Sequence, residues 1–293
     1  MHKALRRALS LTAVPAVTLA TAAMIALPAG AASASVKPGT TGPNLYSPME
    51  TGYAATQASF RFVKADFVLP DPTTFKSYLN RVEYSAEFWS SSRDTILGVY
   101  ASTSDTSAKP WHIEAKVYNN KTHALICATW SKAHPCKGKI TGSWSATFKS
   151  GDKMELSNFF NHTNGLDRFH ANDLTTAVQS YDYHNVGTAI FGQARIVAGF
   201  GCTPWKACGI GLGYHAPPSA LHVGRADDAE LSSGSGLIGF DGPFAHNKVI
   251  MTSNGTSTGT KLAVPTEFGQ TITDNSVTYT SDFPGGEFHM TLP

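Results

Sequence analysis

A single unit recurs along most of this chain: a run of about five to ten alternating or β-branched residues, closed by Gly, Pro, Asn, Asp or Ser. Phe60 to Leu69 is such a run and stops at Pro70-Asp71-Pro72. Thr95 to Tyr100, Trp111 to Tyr118 with Asn119-Asn120 behind it, Lys153 to Phe160, Ser276 to Thr280 and Glu287 to Leu292 repeat the pattern. Past the N-terminal stretch, no window longer than about ten residues keeps the apolar spacing of a helix. Strands with turn punctuation and no competing helices predict an all-β fold, a two-sheet antiparallel β-sandwich.

The N-terminal stretch follows a different rule. Lys3, Arg6 and Arg7 precede an apolar segment from Ala8 to Leu27, and the small residues Ala29-Gly30-Ala31-Ala32-Ser33-Ala34 follow. This is the layout of a cleavable export signal. Pro15, Pro28 and the Ala32-Ser33-Ala34 triplet argue against a retained membrane helix. Arg6-Arg7 also admits the twin-arginine route, but Ala8-Leu9-Ser10 continues it poorly, which favours the ordinary secretory path. The organisation expected is a signal over 1–34, a flexible Pro- and Gly-containing linker over 35–45, and one sandwich domain over 46–293.

Cleavage takes three of the 23 basic residues and none of the 21 acidic ones, so 20 face 21 and the balance moves from +2 to −1. No Lys/Arg cluster is suited to a run of phosphates, which speaks against nucleic acid. A secreted, extracellular monomer with no membrane attachment after cleavage is expected. Four cysteines form two close pairs, Cys127 with Cys136 and Cys202 with Cys208. In an exported chain these read as two local disulfides. Neither pair has zinc-ligand spacing, and the 11 histidines include no H-E-x-x-H, so neither a metal nor another cofactor is expected. Ser232-Ser233-Gly234-Ser235-Gly236 lacks the spacing of a nucleophile elbow and reads as a loop.

Taken in order, several segments resemble the glutamic peptidase (eqolisin) family. Thr51-Gly52-Tyr53-Ala54 followed by Phe60 to Pro70 is similar to that family's entry motif, and Trp111-His112-Ile113-Glu114 sits where the family has a Trp-x-Glu strand. Ser150-Gly151-Asp152-Lys153-Met154 and Phe169 to Thr176 resemble its Gly-Asp strand start and its Asn-x-Thr-Thr hairpin. The tail segments from Phe244 through Ile250, Thr266 to Ile272 and Ser276 to Leu292 follow the closing strands. The resemblance implies a concanavalin A-like jelly roll of two curved sheets. It also implies a catalytic pair in the concave sheet, a Gln amide for the oxyanion and a Glu carboxylate as general base.

At the position of the Gln, in Thr95-Ile96-Leu97-Gly98-Val99-Tyr100, stands Gly98. The best match to the Glu segment is Gln193-Ala194-Arg195-Ile196-Val197-Ala198-Gly199-Phe200, which puts Ala198, or Gly199 after a one-residue slip, at the Glu. Neither family side chain is retained. The resemblance therefore implies the fold more strongly than the activity.

Other residues are weighed by strand parity. His112, Glu114, Lys116 and Tyr118 share one face of their strand, and Ile113, Ala115 and Val117 the other. That polar face is either the floor of a groove, with Trp111, Glu114, Tyr100 and Tyr118 as binding residues, or a solvated face with a weak Glu114 and Lys116 pair. Glu83, Ser85 and Glu87 fall on one face of Val82 to Trp89, with the carboxylates roughly 13 Å apart along the strand. That separation exceeds what a glycosidase pair needs. Tyr84, Tyr100, Tyr118, Trp130, Tyr181 and Tyr183 are further aromatics assigned to polar faces. The leading expectation is a secreted, non-catalytic sandwich that binds a peptide or glycan in the concave sheet. The alternatives are an acid endopeptidase using another pair, Glu114 with Gln193, and a lectin-like or glycan-cleaving protein.

Overall fold

The computed structural model describes residues 42–75, 81–129, 131–136, 140–141, 145–161, 163–176, 178–185, 189–201, 222–233, 238–239, 245–252, 254–265 and 288–291. The strands are β1 (Leu45–Ser47), β2 (Glu50–Thr56), β3 (Phe62–Val68), β4 (Arg81–Trp89), β5 (Arg93–Ser102), β6 (Trp111–Asn119), β7 (Ala124–Ala128), β8 (Ile140–Thr141) and β9 (Thr147–Phe148). They continue with β10 (Lys153–Asn161), β11 (Leu166–Asp173), β12 (Val178–Asn185), β13 (Gln193–Gly201), β14 (His222–Ser232), β15 (Ile238–Gly239), β16 (Ala245–Thr252), β17 (Lys261–Pro265) and β18 (Phe288–Thr291). One short 3-10 turn, Pro72–Phe75, is the helical element among the described residues. The expected all-β sandwich is what forms. The export signal over 1–34, Cys202, Cys208, Trp130 and the segments 266–272 and 276–280 lie outside the described residues.

The first sheet runs β16, β2, β13, β4, β5, β6, with β7 and β9 against β6. The second runs β18, β14, β3, β10, β11, β12, β8. Among the described residues every strand pairing is antiparallel except that of the three-residue β1, which lies parallel to β16. The departure is small because β1 meets β16 without a hairpin between them. β17 pairs with β16 through Met251↔Ala263 and with β18 through Val264↔Thr291, so it links the two sheets.

Period-two alternation puts one face of each strand in the core. Val63, Ala65, Phe67 and Leu69 are fully buried from β3 and the residue after it, as are Val82, Tyr84, Ala86 and Phe88 from β4. Trp111, Ala115 and Val117 do the same for β6. The layers meet through aromatic contacts: Tyr84 packs on Phe67 at 5.4 Å and on Trp111 at 5.5 Å, and Phe191 lies between Phe88 and Phe160. Large rings of this kind supply most of the buried apolar area in such an interface.

Turns recognised in the sequence close as their residues dictate. Gly151 takes φ 91°, its N–H donates to the Leu69 carbonyl at 2.7 Å, and Asp152 accepts from the Lys149 amide at 2.7 Å just ahead of β10. At the end of β11, the Asp173 carboxylate accepts the Thr175 amide at 2.9 Å and bonds the Thr176 hydroxyl. The Asp173 closure is an Asx turn.

Candidate functional site

The outward face of the first sheet carries the polar residues, and its register arranges them in four rows. One row is His112, Tyr100, Glu83, Gly199, Glu50, and the next is Glu114, Gly98, Ser85, Val197, Gly52. Then come Lys116, Ile96, Glu87, Arg195, Ala54, and last Tyr118, Asp94, Trp89, Gln193. The second row is thin at its centre. At Gly98 a Cβ would come 2.6 Å from Glu83 Oε1 and 3.2 Å from its Cγ, so only glycine leaves the Glu83 side chain in its place.

Around that gap lies a network of four charges. Lys116 Nζ donates to Glu83 Oε1 and Oε2 at 2.7 and 2.9 Å and also to Glu114, while Arg81 binds Glu83 at 3.1 Å and Glu114 as well. The Glu114 side chain is 2% exposed and that of Lys116 12%. Burial alone would push the Glu83 carboxyl up, but Lys116 and Arg81 outweigh it and hold it below the usual carboxylate range. Arg81 also lies 3.9 Å from the Tyr100 ring centre, and Tyr100 stacks on His112 at 5.4 Å. Glu114 is therefore not the solvated residue of a weak surface pair. It is buried between two cations.

Several expected site residues are elsewhere. Trp111 is fully buried on the core face, its indole N–H donating to the Pro70 carbonyl at 3.0 Å, so it cannot line an outward groove. Tyr84 is likewise a core residue. Ala198 is fully buried and points inward between Val197 and Gly199, whereas Gly199 stands on the outward face next to Glu50. Tyr100 and Tyr118 are half-buried on the outward face. Glu114 and Gln193 are not brought together: β5 and β4 lie between their strands, and they stand two rows apart. At about 4.8 Å per strand and about 3.4 Å per residue, roughly 14 Å separates them in one direction and more than 10 Å in the other. They cannot address one water and one carbonyl.

A second cluster, which sequence reasoning missed, lies one row further along. Glu87 accepts the Ser85 hydroxyl at 2.7 Å and the Trp89 indole N–H at 2.6 Å, and it faces Arg195 at 3.6 Å. Arg195 bonds Glu50 at 2.9 Å and lies 3.9 Å from the Trp89 ring centre. Burial, with a smaller push from Glu50, lifts the Glu87 carboxyl to about 7. Asp94, buried beside Trp89, is raised to about 7 for the same first reason. At this end of the sheet an open groove of about 390 Å³ is lined by Trp89, Ser90, Ser91, Asn120, Ile190, Gly192 and Gln193. The sequence offered one hint of it, the strand ending at Trp89 and followed by a Ser-rich turn.

Among the described residues there is no group of His, Cys, Asp and Glu arranged to hold a metal ion, and no helix long and apolar enough to cross a membrane. Cys127 and Cys136 are joined by a disulfide across 4.7 Å between Cα atoms.

No family model and no curated protein matches the chain. Among solved structures it is similar to scytalido-glutamic peptidase bound to a transition state analog inhibitor, at 11% identity over 85% of this chain and 100% of that one, with a TM-score of 0.49. It is also similar to SCP-B, a member of the eqolisin family of peptidases in complex with the tripeptide Ala-Ile-His, at 11% identity, 85% and 100% coverage and a TM-score of 0.44. A native heptameric SAP-like pentraxin from Limulus polyphemus aligns at 8% identity over 74% and 94% of the two chains, with a TM-score of 0.23.

Proposed function

We propose that this chain is an exported β-sandwich protein on a glutamic-peptidase-like plan that does not cleave peptide bonds and instead binds a peptide or glycan on the outward face of its first sheet. The single observation that carries this reading is the Glu83 carboxylate over Gly98. The resemblance puts an amide donor there, where negative charge would develop on a scissile carbonyl. A carboxylate is an acceptor only. The nearby cations, Lys116 and Arg81, are committed to Glu83 and Glu114.

The base is lacking for a related reason. Ala198 has no proton acceptor and faces the core, Gly199 has no side chain, and Glu114 is enclosed by its two partners. Loss of an oxyanion donor alone costs on the order of 10²–10³ in turnover, and loss of the base removes water activation as well. The test is digestion of heat-denatured casein by the purified mature chain at about pH 4 and about pH 7, beside a Glu114→Gln variant. No released peptide is expected in any arm. Release that disappears in the variant overturns the reading and makes Glu114 the base.

A further inference from the structure

We infer that the groove between Trp89, Asn120, Ile190 and Gln193 is a binding site for a neutral saccharide; this deepens the proposed binding role by naming the ligand class and the end of the sheet that takes it. Trp89 forms part of the groove wall. Its ring is held by two neighbouring side chains at least nine-tenths buried, Glu87 taking the indole N–H at 2.6 Å and Arg195 lying 3.9 Å from the ring centre. A tryptophan whose N–H is already bonded offers a ligand only apolar surface, and one fixed in place loses little freedom when it is covered.

The groups around it complement that surface. Gln193 stands directly opposite Trp89 in the β4–β13 register. Asn120, another lining residue, donates through Nδ2 to the Ser90 carbonyl, a bond that fixes its side chain and does not use its Oδ1. Side-chain amides combine donor and acceptor in one plane, and Ser91 adds a hydroxyl that can do either. Ile190, 73% exposed, extends the apolar wall.

Among the described residues, none that lines the groove carries a charge. A phosphate or a carboxylate would find no free cation there, because Arg195 is engaged by Glu50 and Glu87. A pyranose ring fits this chemistry, with apolar C–H faces for Trp89 and Ile190 and hydroxyl edges for the amides. A volume of about 390 Å³ lies at the small end for ligand sites and suits one or two sugar units.

The experiment is calorimetric titration of the purified mature chain with soluble hexasaccharides of glucose, N-acetylglucosamine, mannose and galacturonate, and with an uncharged hexapeptide. Binding of at least one neutral hexasaccharide is expected, with Trp89 fluorescence changing on titration and the galacturonate oligomer and peptide failing to bind. Gln193→Ala and Ile190→Ser, both at the groove rim, are expected to weaken binding about tenfold or more while leaving the unfolding midpoint unchanged. Trp89→Phe is expected to weaken it further, and the two rim variants decide the matter if that protein does not fold. Absence of binding by every neutral hexasaccharide, binding indifferent to Gln193→Ala, or peptide binding at the groove each overturns the site. Casein cleavage, by contrast, sinks the non-catalytic reading and leaves this site standing.

Discussion

Glu83 Oε1 lies where a side chain on Gly98 would have to begin, 2.6 Å from the Cβ position of that residue, and Lys116 holds it there at 2.7 Å. The backbone of Gly98 lies in an ordinary strand, so the glycine is required by the neighbour and not by its own conformation.

From this relationship, Gly98→Ala is expected to destabilise the protein by about 1–3 kcal/mol, the usual cost of inserting a methyl group into occupied space. The methyl pushes Glu83 off Lys116. Combining Gly98→Ala with Glu83→Ala should recover part of the loss, because the obstacle is gone. Urea unfolding of the four proteins in the cycle measures the coupling, and strictly additive costs would show that Gly98 and Glu83 do not compete for space.

Glu114→Gln is expected to cost about 3 kcal/mol, the low end for removing one partner of a buried pair, because Arg81 and Lys116 retain some contact with solvent. The same variant should leave saccharide binding unchanged, since Glu114 lies two rows from the Trp89 end of the sheet. Unfolding midpoint and titration together check both halves.

Stability should fall as pH rises from about 5 to about 8. Burial raises Asp66 to about 6 and both Glu87 and Asp94 to about 7 from ordinary carboxylate values. A carboxyl whose folded pKa lies above its unfolded one binds more protons in the folded state. Its contribution is complete below the unfolded value and is lost as pH rises through the folded one. The combined change is on the order of a few kcal/mol. Two groups act in the opposite sense: Glu83, held low, at more acidic pH, and His170, whose ring burial keeps from protonating, in the acidic part of this window. Thermal unfolding across this window should show a higher midpoint near pH 5, and Glu87→Gln should flatten the slope.

Reduction of Cys127–Cys136 is expected to cost about 2–3 kcal/mol, the entropy value for a short loop. The bond secures β7, which leaves the regular register of β6 between Val117 and Tyr118. Non-reducing peptide mapping should recover Cys127 with Cys136 in one fragment. The same map tests the pairing of Cys202 with Cys208.

Strand positions and faces were legible wherever alternation was clean. Parity alone placed Ile113, Ala115 and Val117 inward and Glu114 and Lys116 outward, as found. It would also have sent Trp111 and Tyr84 to the core, since Trp111 has the parity of Ile113 and Tyr84 that of Val82; for Trp111, motif position was set above parity. The two charge clusters were not legible. Arg81 and Glu114 are 33 positions apart and Arg195 and Glu50 145 apart, and nothing short of the strand register makes them neighbours. The groove draws on β4, β13 and the residue after β6, so its residues carry no common local pattern.

β17 spends its first residues in the ladder of β16 and its last in that of β18, so one short segment is stitched into both layers. At that corner the sandwich cannot open like a book, because separating the sheets means tearing hydrogen bonds on both sides of Ala263 and Val264. Fraying begun at β18 is thereby transmitted to β16, and the amides of the two strands should exchange with solvent as one cooperative unit.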